Sequence, residues 1–83
     1  MSFEIIIPAH IQKYIRNLEK DEKRRLLQKI FDLKEDPFRF VQRLVDSPFY
    51  KLRVGRFRVI IEIDIIKQRI SIVRIGDRSK VYF

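Results

Sequence analysis

The sequence contains no cysteine, no tryptophan and a single histidine, His10. Without cysteine the chain forms no disulfide, no thiolate zinc site and no cysteine nucleophile. One histidine likewise excludes a histidine-based metal cluster and a ribonuclease site that uses two histidines. We expect His10, on a predicted helix, to have a surface or packing role. The acidic residues match no metal-binding motif, so we expect neither a metal nor another cofactor.

Long hydrophobic segments are absent as well. No apolar run approaches the roughly 18 residues that suffice to span a membrane, and the start of the chain lacks the charged and apolar stretches of a signal peptide. We therefore expect a cytoplasmic protein with no membrane partner. The length of 83 residues allows one small domain, over residues 1–83. Frequent isoleucine, 36% charged residues and the absence of cysteine suit a thermophilic source.

Positive charge is unevenly distributed along the chain, which carries a formal net charge of +8. Residues 1–36 hold eight basic and seven acidic side chains, whereas residues 37–83 hold eleven basic and four acidic ones. A concentrated positive field attracts polyanions, above all RNA or DNA, or an acidic protein. A solubilising surface is the alternative interpretation.

The first half of the sequence predicts one strand followed by two helices. Residues 3–7 are rich in β-branched side chains and predict a strand that ends at Pro8. The apolar stripe of the first helix, at helical spacing, consists of Ile11, Tyr14, Ile15 and Leu18. A second helix extends to about Glu35, because Pro37 ends it. The apolar residues that it is expected to bury are Leu26, Leu27, Ile30, Phe31 and Leu33.

In the second half the hydrophobic period changes to two residues. Residues 38–49 predict a loop whose Phe38, Phe40 and Leu44 pack onto the domain. Residues 50–54, 56–64 and 69–75 predict three strands, which short connections join as an antiparallel meander. The order βααβββ predicts an α+β fold, with a two-helix hairpin packed on a four-stranded, mainly antiparallel sheet.

Basic side chains recur on one face of the predicted sheet. Alternation places four of them opposite the apolar residues, namely Lys51, Arg53, Arg56 and Arg58. A second basic cluster consists of Arg74, Arg78 and Lys80. These like charges repel one another, so an anionic partner is the functional interpretation and a solvated strand face is the alternative. A positive neighbourhood favours the phenolate form of Tyr82, which would help it accept a proton, although a terminal aromatic also packs well on a core.

These side chains suit metal-free RNA cleavage, and they suit RNA binding equally well. RNA carries its own nucleophile, the 2′-OH group. A site must align that oxygen, remove its proton, stabilise the charged phosphorane and protonate the leaving 5′-oxygen. The sequence contains no Ser–His or Cys–His pair that would suggest another nucleophilic mechanism.

Two segments resemble the RelE toxins of the RelE/ParE superfamily. Residues 50–60 read Y-K-L-R-V-G-R-F-R-V-I, and residues 74–78 read R-I-G-D-R, before Val81 and Tyr82. The helix that ends near Asp36-Pro37 also fits, and the resemblance covers essentially the whole chain. It implies the RelE-like microbial ribonuclease fold, in a minimal form that suits an archaeal member.

The resemblance implies the toxin of a type II toxin–antitoxin system, an mRNA interferase that inhibits translation. Such a toxin is a ribosome-dependent endoribonuclease that cuts message in the A site by 2′-OH attack and leaves a 2′,3′-cyclic phosphate. The implied partners are a cognate RelB-type antitoxin, in a hetero-oligomer, together with mRNA and the ribosome. The implied catalytic residues are Lys51, Arg53, Arg58, Arg78 and Tyr82. The residues expected to bind RNA are Lys51, Arg53, Arg56, Arg58, Arg74 and Lys80.

Two positions depart from the family pattern. Arg53 replaces a lysine taken as the general acid, and an arginine holds its proton too tightly to be a good acid. Asp77 stands where many relatives carry histidine. Two alternatives therefore stay open. One is a ParE-like toxin that binds a protein target such as DNA gyrase, and the other is a catalytically weak relative that binds RNA or the ribosome.

Overall fold

The computed structural model describes residues 2–77, in which two helices cover one face of a five-stranded sheet. The elements are β1 (Glu4–Ile6), α1 (Ala9–Arg16), α2 (Lys20–Asp32), β2 (Val41–Arg43), β3 (Tyr50–Val54), β4 (Phe57–Asp64) and β5 (Arg69–Asp77). The strand order is β1-β5-β4-β3-β2. β1 runs parallel to β5 and the other neighbours are antiparallel. The predicted α+β class is confirmed, and neither helix of the described part is long and apolar enough to cross a membrane.

The sheet has one strand more than the sequence predicted. Within the expected loop, β2 pairs with β3, with Val41 opposite Leu52 and Arg43 opposite Tyr50. A strand of three residues is too short to show a period of two, so the assignment of all of residues 38–49 to a loop was wrong. The hairpin closes where the Leu44 N–H donates to the Phe49 carbonyl over 3.0 Å.

The hydrophobic core lies between the two helices and the sheet. Its buried members are Ile11, Ile15, Leu26, Ile30, Leu33, Leu52, Val54, Phe57, Val59, Ile61, Ile70 and Ile72. Leu27 packs against this core and is partly buried. The expected burial of Phe31 was wrong, because its side chain is 47% exposed. One residue advances a helix by about 100°, so Phe31 points away from the sheet that buries its neighbour Ile30.

The aromatic residues before β2 pack only in part. Phe38 and Phe40 are both about half exposed. The Phe38 ring meets Tyr50 edge-on with 5.5 Å between centroids, and the Phe40 ring lies 5.2 Å from the Lys29 ammonium. Leu44 is partly buried. The segment is therefore attached to the domain without joining the core.

β5 contains a bulge that changes which side chains face the helices. Ile60 pairs with Arg74 and Ile61 pairs with Ile72, so Val73 is an extra residue on β5. A bulge interrupts the alternation of a strand. Ile72 and Ile75 therefore both pack on the core side, whereas Val73 and Arg74 are exposed. The bulge keeps Arg74 on the face that the helices leave open.

Candidate nucleic-acid interface

Three neighbouring strands bring four basic side chains to the face of the sheet opposite the helices. Cross-strand pairing sets Arg53 of β3 opposite Arg58 of β4. In the adjacent row, Lys51 is opposite Ile60, which pairs in turn with Arg74. Their neighbours Leu52, Val54, Phe57 and Val59 are buried on the helix side. We call this set of Lys51, Arg53, Arg58 and Arg74 the basic face.

Three members of the basic face are exposed cations. Within residues 2–77, no acidic side chain forms an ion pair with Arg53, Arg58 or Arg74. Adjacent strands lie about 4.8 Å apart, so these charges fall within roughly one Debye length of their neighbours. Their potentials add, and the face is suited to a polyanion that contacts several of them together.

A shallow open groove of about 840 Å³ leads from the basic face toward the β2–β3 loop. Its lining consists of Gln42, Arg43, Leu44, Val45, Ser47, Lys51 and Arg58. The cations suit phosphate oxygens, whereas the amide and the hydroxyl groups both donate and accept hydrogen bonds, as base edges require. Gln42 pairs with Lys51 across the strands. Gln42 was missed because residues 38–49 were predicted to be a loop and β2 was not recognised.

The placement predicted for Arg56 on the basic face was wrong. β3 and β4 are joined by a two-residue turn, Gly55-Arg56, in which Gly55 has a φ of 57°. Arg56 instead contacts two carboxylates. Its Nε donates to Oε2 of Glu22 over 2.6 Å, its Nη2 donates to Oε1 of Glu22 over 3.0 Å, and its Nη1 donates to Oδ2 of Asp77. These acidic groups offset its charge, so Arg56 adds little to the basic face.

The ion pairs of Arg56 shift its titration and that of Glu22 in the directions expected for opposite charges. Hydrogen bonds from Arg56 hold the pKa of the Glu22 carboxyl below its usual value of 4.5. The same contacts raise the pKa of Arg56. Both groups are therefore charged throughout the neutral pH range, and the link between helix α2 and the β3–β4 turn is ionic there.

The remaining predicted site residues, Arg78, Lys80 and Tyr82, lie outside the described residues. His10 is exposed on α1, in the helix layer on the other side of the sheet. In the described part of the chain, histidine, aspartate and glutamate form no group of three or more that could hold a metal ion. The described part of the basic face presents lysine and arginine side chains, which bind and stabilise anions.

The fold is that of RelE toxins. The archaeal RelE–RelB complex from Pyrococcus horikoshii matches with a TM-score of 0.85 and 24% identity, over 98% of this chain and 100% of that chain. RelBE2 from Mycobacterium tuberculosis matches with a TM-score of 0.80 and 18% identity, over 94% and 100%. The intact RelBE complex from E. coli matches with a TM-score of 0.79 and 18% identity, over 92% and 96%. A search of curated proteins gives no match.

Family membership follows from the sequence itself. The sequence model of the family described as the ParE toxin of the type II toxin–antitoxin system parDE matches residues 9–82. The chain belongs to this family and is a toxin of the RelE/ParE superfamily. The resemblance that the sequence predicted is thereby confirmed. The sequence match bears the name ParE, whereas the fold matches are to RelE toxins.

Proposed function

We propose that the protein is a ribosome-dependent endoribonuclease that cleaves mRNA in the A site and so inhibits translation. The observation that carries the proposal is the convergence of Lys51, Arg53, Arg58 and Arg74 from three strands on one exposed face. A toxin that only binds a protein does not need four cations on adjacent strands. By contrast, a site that cleaves a phosphodiester needs several cations, because the phosphodiester gains negative charge during cleavage.

Each described cation has a role in this reaction. Lys51, which lines the groove, neutralises the phosphate. Arg58 and Arg53, as direct cross-strand partners, stabilise the charge that develops on the phosphorane. Arg74 extends the positive surface toward β5 and holds the flanking RNA. The attacking 2′-oxygen belongs to the substrate, so the protein supplies no nucleophile.

Proton transfer is proposed for the end of the chain. Tyr82 removes the 2′-OH proton, and Arg78 adds a further cation to the phosphorane. With arginine at position 53, the leaving 5′-oxygen receives charge stabilisation but only poor proton donation from that residue. We therefore expect slow cleavage compared with a site that has a lysine there.

The partners proposed are a RelB-type antitoxin, the ribosome and mRNA, in the cytoplasm. The solved complexes of RelE with RelB and the family to which this chain belongs support the antitoxin. An antitoxin that covers the basic face would exclude mRNA from it. Because several phosphates are neutralised together, ribosome binding should weaken steeply as salt rises.

Primer extension on a defined mRNA, free and in programmed ribosomes, tests the proposal. Wild type should give cuts at the A-site codon that appear only with ribosomes, and Arg58→Ala and Arg78→Ala should abolish them. Arg16→Ala is the matched control, because it removes an exposed arginine from α1 in the helix layer and should cut like wild type. If the folded wild-type protein binds ribosomes but makes no cuts, the alternative of a catalytically weak protein that binds RNA or the ribosome would replace this proposal.

A second candidate function is the poisoning of DNA gyrase by direct binding. The observation that favours it is the match to the ParE family over residues 9–82. In this case purified protein should inhibit gyrase supercoiling, and Arg58→Ala should inhibit as well as wild type. Inhibition of gyrase without ribosome-dependent cuts would replace the first proposal, and normal supercoiling with such cuts would exclude the second.

A further inference from the structure

One wall of the groove beside the basic face is a short loop with a fixed shape. This loop, residues 44–49, joins β2 to β3. The Leu44 N–H donates to the Phe49 carbonyl, and the Phe49 N–H donates to the hydroxyl oxygen of Ser47 over 3.1 Å. Asp46 has a φ of 54°, in the left-handed region that aspartate adopts more readily than most residues. These features shape the wall of the groove before any ligand binds.

The groove combines apolar surface with polar groups. The side chain of Val45 is 89% exposed, and that of Leu44 is partly buried. Gln42 and Ser47 add an amide and a hydroxyl group to the same lining. Pockets for small ligands combine apolar surface with a few polar groups, and the volume of about 840 Å³ lies within their range of roughly 300–1,000 Å³. The groove is therefore large enough for a nucleobase and has groups that suit one.

The side chain of Gln42 lines this groove with an amide that is open to a ligand. Cross-strand pairing sets Gln42 opposite Lys51, and both line the groove. The amides of Gln12 and Gln28 donate to a backbone carbonyl and to a carboxylate, respectively. Within residues 2–77 the exposed amide of Gln42 makes no such hydrogen bond. As far as this part of the chain is concerned, both its oxygen and its NH2 group are available to bind a ligand.

The groove and the basic face share two cations. Lys51 and Arg58 line the groove and are members of the basic face, and Arg58 is the cross-strand partner of Arg53. Only a ribose separates the phosphate of a nucleotide from its base, so a phosphate on these cations brings a base to the groove. Proteins recognise single-stranded RNA in this manner, through unstacked bases whose edges form hydrogen bonds with side chains.

We propose that Gln42 is a specificity-determining residue, which binds the edge of an adenine base held in the groove next to the phosphate on Lys51 and Arg58. The inference rests on the proposed endoribonuclease function and adds to it a preferred base beside the cleaved bond. A glutamine amide presents one acceptor and one donor side by side, and adenine presents its amino group beside a ring nitrogen in the matching order. Val45 supplies the apolar surface against which the base lies.

Replacement of the amide should change which codons are cut. Single-turnover rates are measured on programmed ribosomes whose A-site codons differ at one base. Wild type should cut at least about fivefold faster when adenine occupies one particular codon position, because a matched bidentate pair discriminates by at least this factor. Gln42→Ala should remove the preference. Gln42→Glu presents only acceptors, so the preference should move toward cytosine, whose amino group a carboxylate accepts from.

The same two exchanges at another glutamine provide the control. Gln28 lies on α2, in the helix layer, and Gln28→Ala and Gln28→Glu should keep the wild-type preference. The measured quantity is the ratio of rates between bases, because an added negative charge or a small loss of structure slows cleavage of all codons alike. Circular dichroism shows that each variant is folded. The proposal is overturned if wild type has no adenine preference, or if the Gln42 variants retain it.

Binding in the absence of ribosomes separates this inference from the proposed function. The probes are fluorescent 2′-O-methyl RNA pentamers, UUAUU, UUCUU, UUGUU and UUUUU, which cannot be cleaved by 2′-OH attack. Fluorescence anisotropy should show that wild type binds UUAUU at least about fivefold more tightly than UUUUU, and that Gln42→Ala binds the four alike. If wild type fails to cut message on ribosomes, the proposed function is wrong and the pentamer affinities alone decide the role of Gln42. Equal affinities, or no binding of any pentamer, would then refute it.

The role of Val45 has its own test in the same assay. Val45→Ser removes apolar surface from the groove and should weaken binding of all four pentamers while the preference for UUAUU remains. Ile66→Ser is the control, because Ile66 is a 95% exposed apolar residue that does not line the groove. Equal affinities of Val45→Ser and wild type would exclude Val45 from the site.

Discussion

Arg53 and Arg58 are direct cross-strand partners, so two guanidinium groups face each other across β3 and β4 on the exposed side of the sheet. Like charges in this arrangement destabilise a sheet by a few tenths of a kcal/mol to about 1 kcal/mol. The pair therefore costs the folded state free energy that binding of an anion would recover. The basic face can therefore be tested by measurements of folding stability as well as of activity.

Replacement of Arg58 by threonine should stabilise the fold while it removes function. Threonine favours strands, and the change relieves the repulsion from Arg53, so we expect the free energy of unfolding to rise by about 0.5 kcal/mol at low salt. Urea denaturation measures it. Arg74→Thr is the control, because Arg74 is opposite Ile60 and not another cation. An equal gain in both variants would contradict the explanation, as would a gain in Arg58→Thr that is insensitive to salt.

Arg53→Lys tests which step limits the proposed cleavage. The variant keeps the positive charge but supplies an ammonium group that can release a proton, so it should cut ribosome-bound message at least about tenfold faster, since general acid catalysis contributes about 10²- to 10⁴-fold. Single-turnover rates across a range of pH measure the effect. Arg16→Lys makes the same exchange on α1 and should leave the rate as in wild type. A slower Arg53→Lys would mean that the guanidinium geometry matters more than proton donation.

Acid should weaken the Glu22 link. The pKa of Glu22 is lower in the folded state than its usual value of 4.5, because Arg56 donates hydrogen bonds to the carboxylate. A group of this kind adds stability above its unfolded pKa and loses it as pH falls through the folded pKa. The Tm of Glu22→Gln should therefore lie below that of wild type at neutral pH, and the difference should shrink as pH falls below about 4.5. Asp21→Asn is the control, and a constant Tm difference for Glu22→Gln from neutral pH into acid would disprove the link.

The two glycines should respond oppositely to alanine. Gly55 has a φ of 57°, and a left-handed conformation costs an L-residue about 1–2 kcal/mol. The new Cβ would lie 3.6 Å from Nη1 of Arg25, an ordinary contact, so the cost arises in the backbone. Gly76→Ala meets no described atom within 4 Å and should be neutral or stabilise by up to about 1 kcal/mol. Guanidinium denaturation of both variants checks this contrast, and equal effects would refute it.

Periodicity predicted those parts of the fold in which several consecutive residues obey one repeat. The helical stripe identified Ile11 and Ile15 as core residues, and both are buried. Alternation along β3 and β4 identified the exposed side of the hairpin, where Arg53 and Arg58 lie. Hydrophobic burial on one side of a sheet is sufficient to specify these positions.

The errors occurred where the structure depends on distant contacts. Arg56 was assigned to a strand, but the chain turns at residues 55–56, and the position of its side chain depends on Glu22, which is 34 residues earlier. β2 exists because Val41 and Arg43 pair with β3, and three residues carry no readable period. The sequence also did not predict which residues of β5 face the helices beyond the bulge, because nothing in the local sequence marks Val73 as an extra residue.

The bulge at Val73 means that the two halves of β5 follow opposite inside–outside patterns. If all nine residues of β5 alternated strictly, Arg74 would turn toward the helices and Ile75 toward water, whereas the one extra residue keeps both on their present sides. The number of residues in β5, and not only their identity, therefore determines which charged side chains the sheet exposes. A relative without the extra residue would present the same faces with a strand one residue shorter, so an alignment across β5 needs a gap at Val73 before it assigns equivalent site residues.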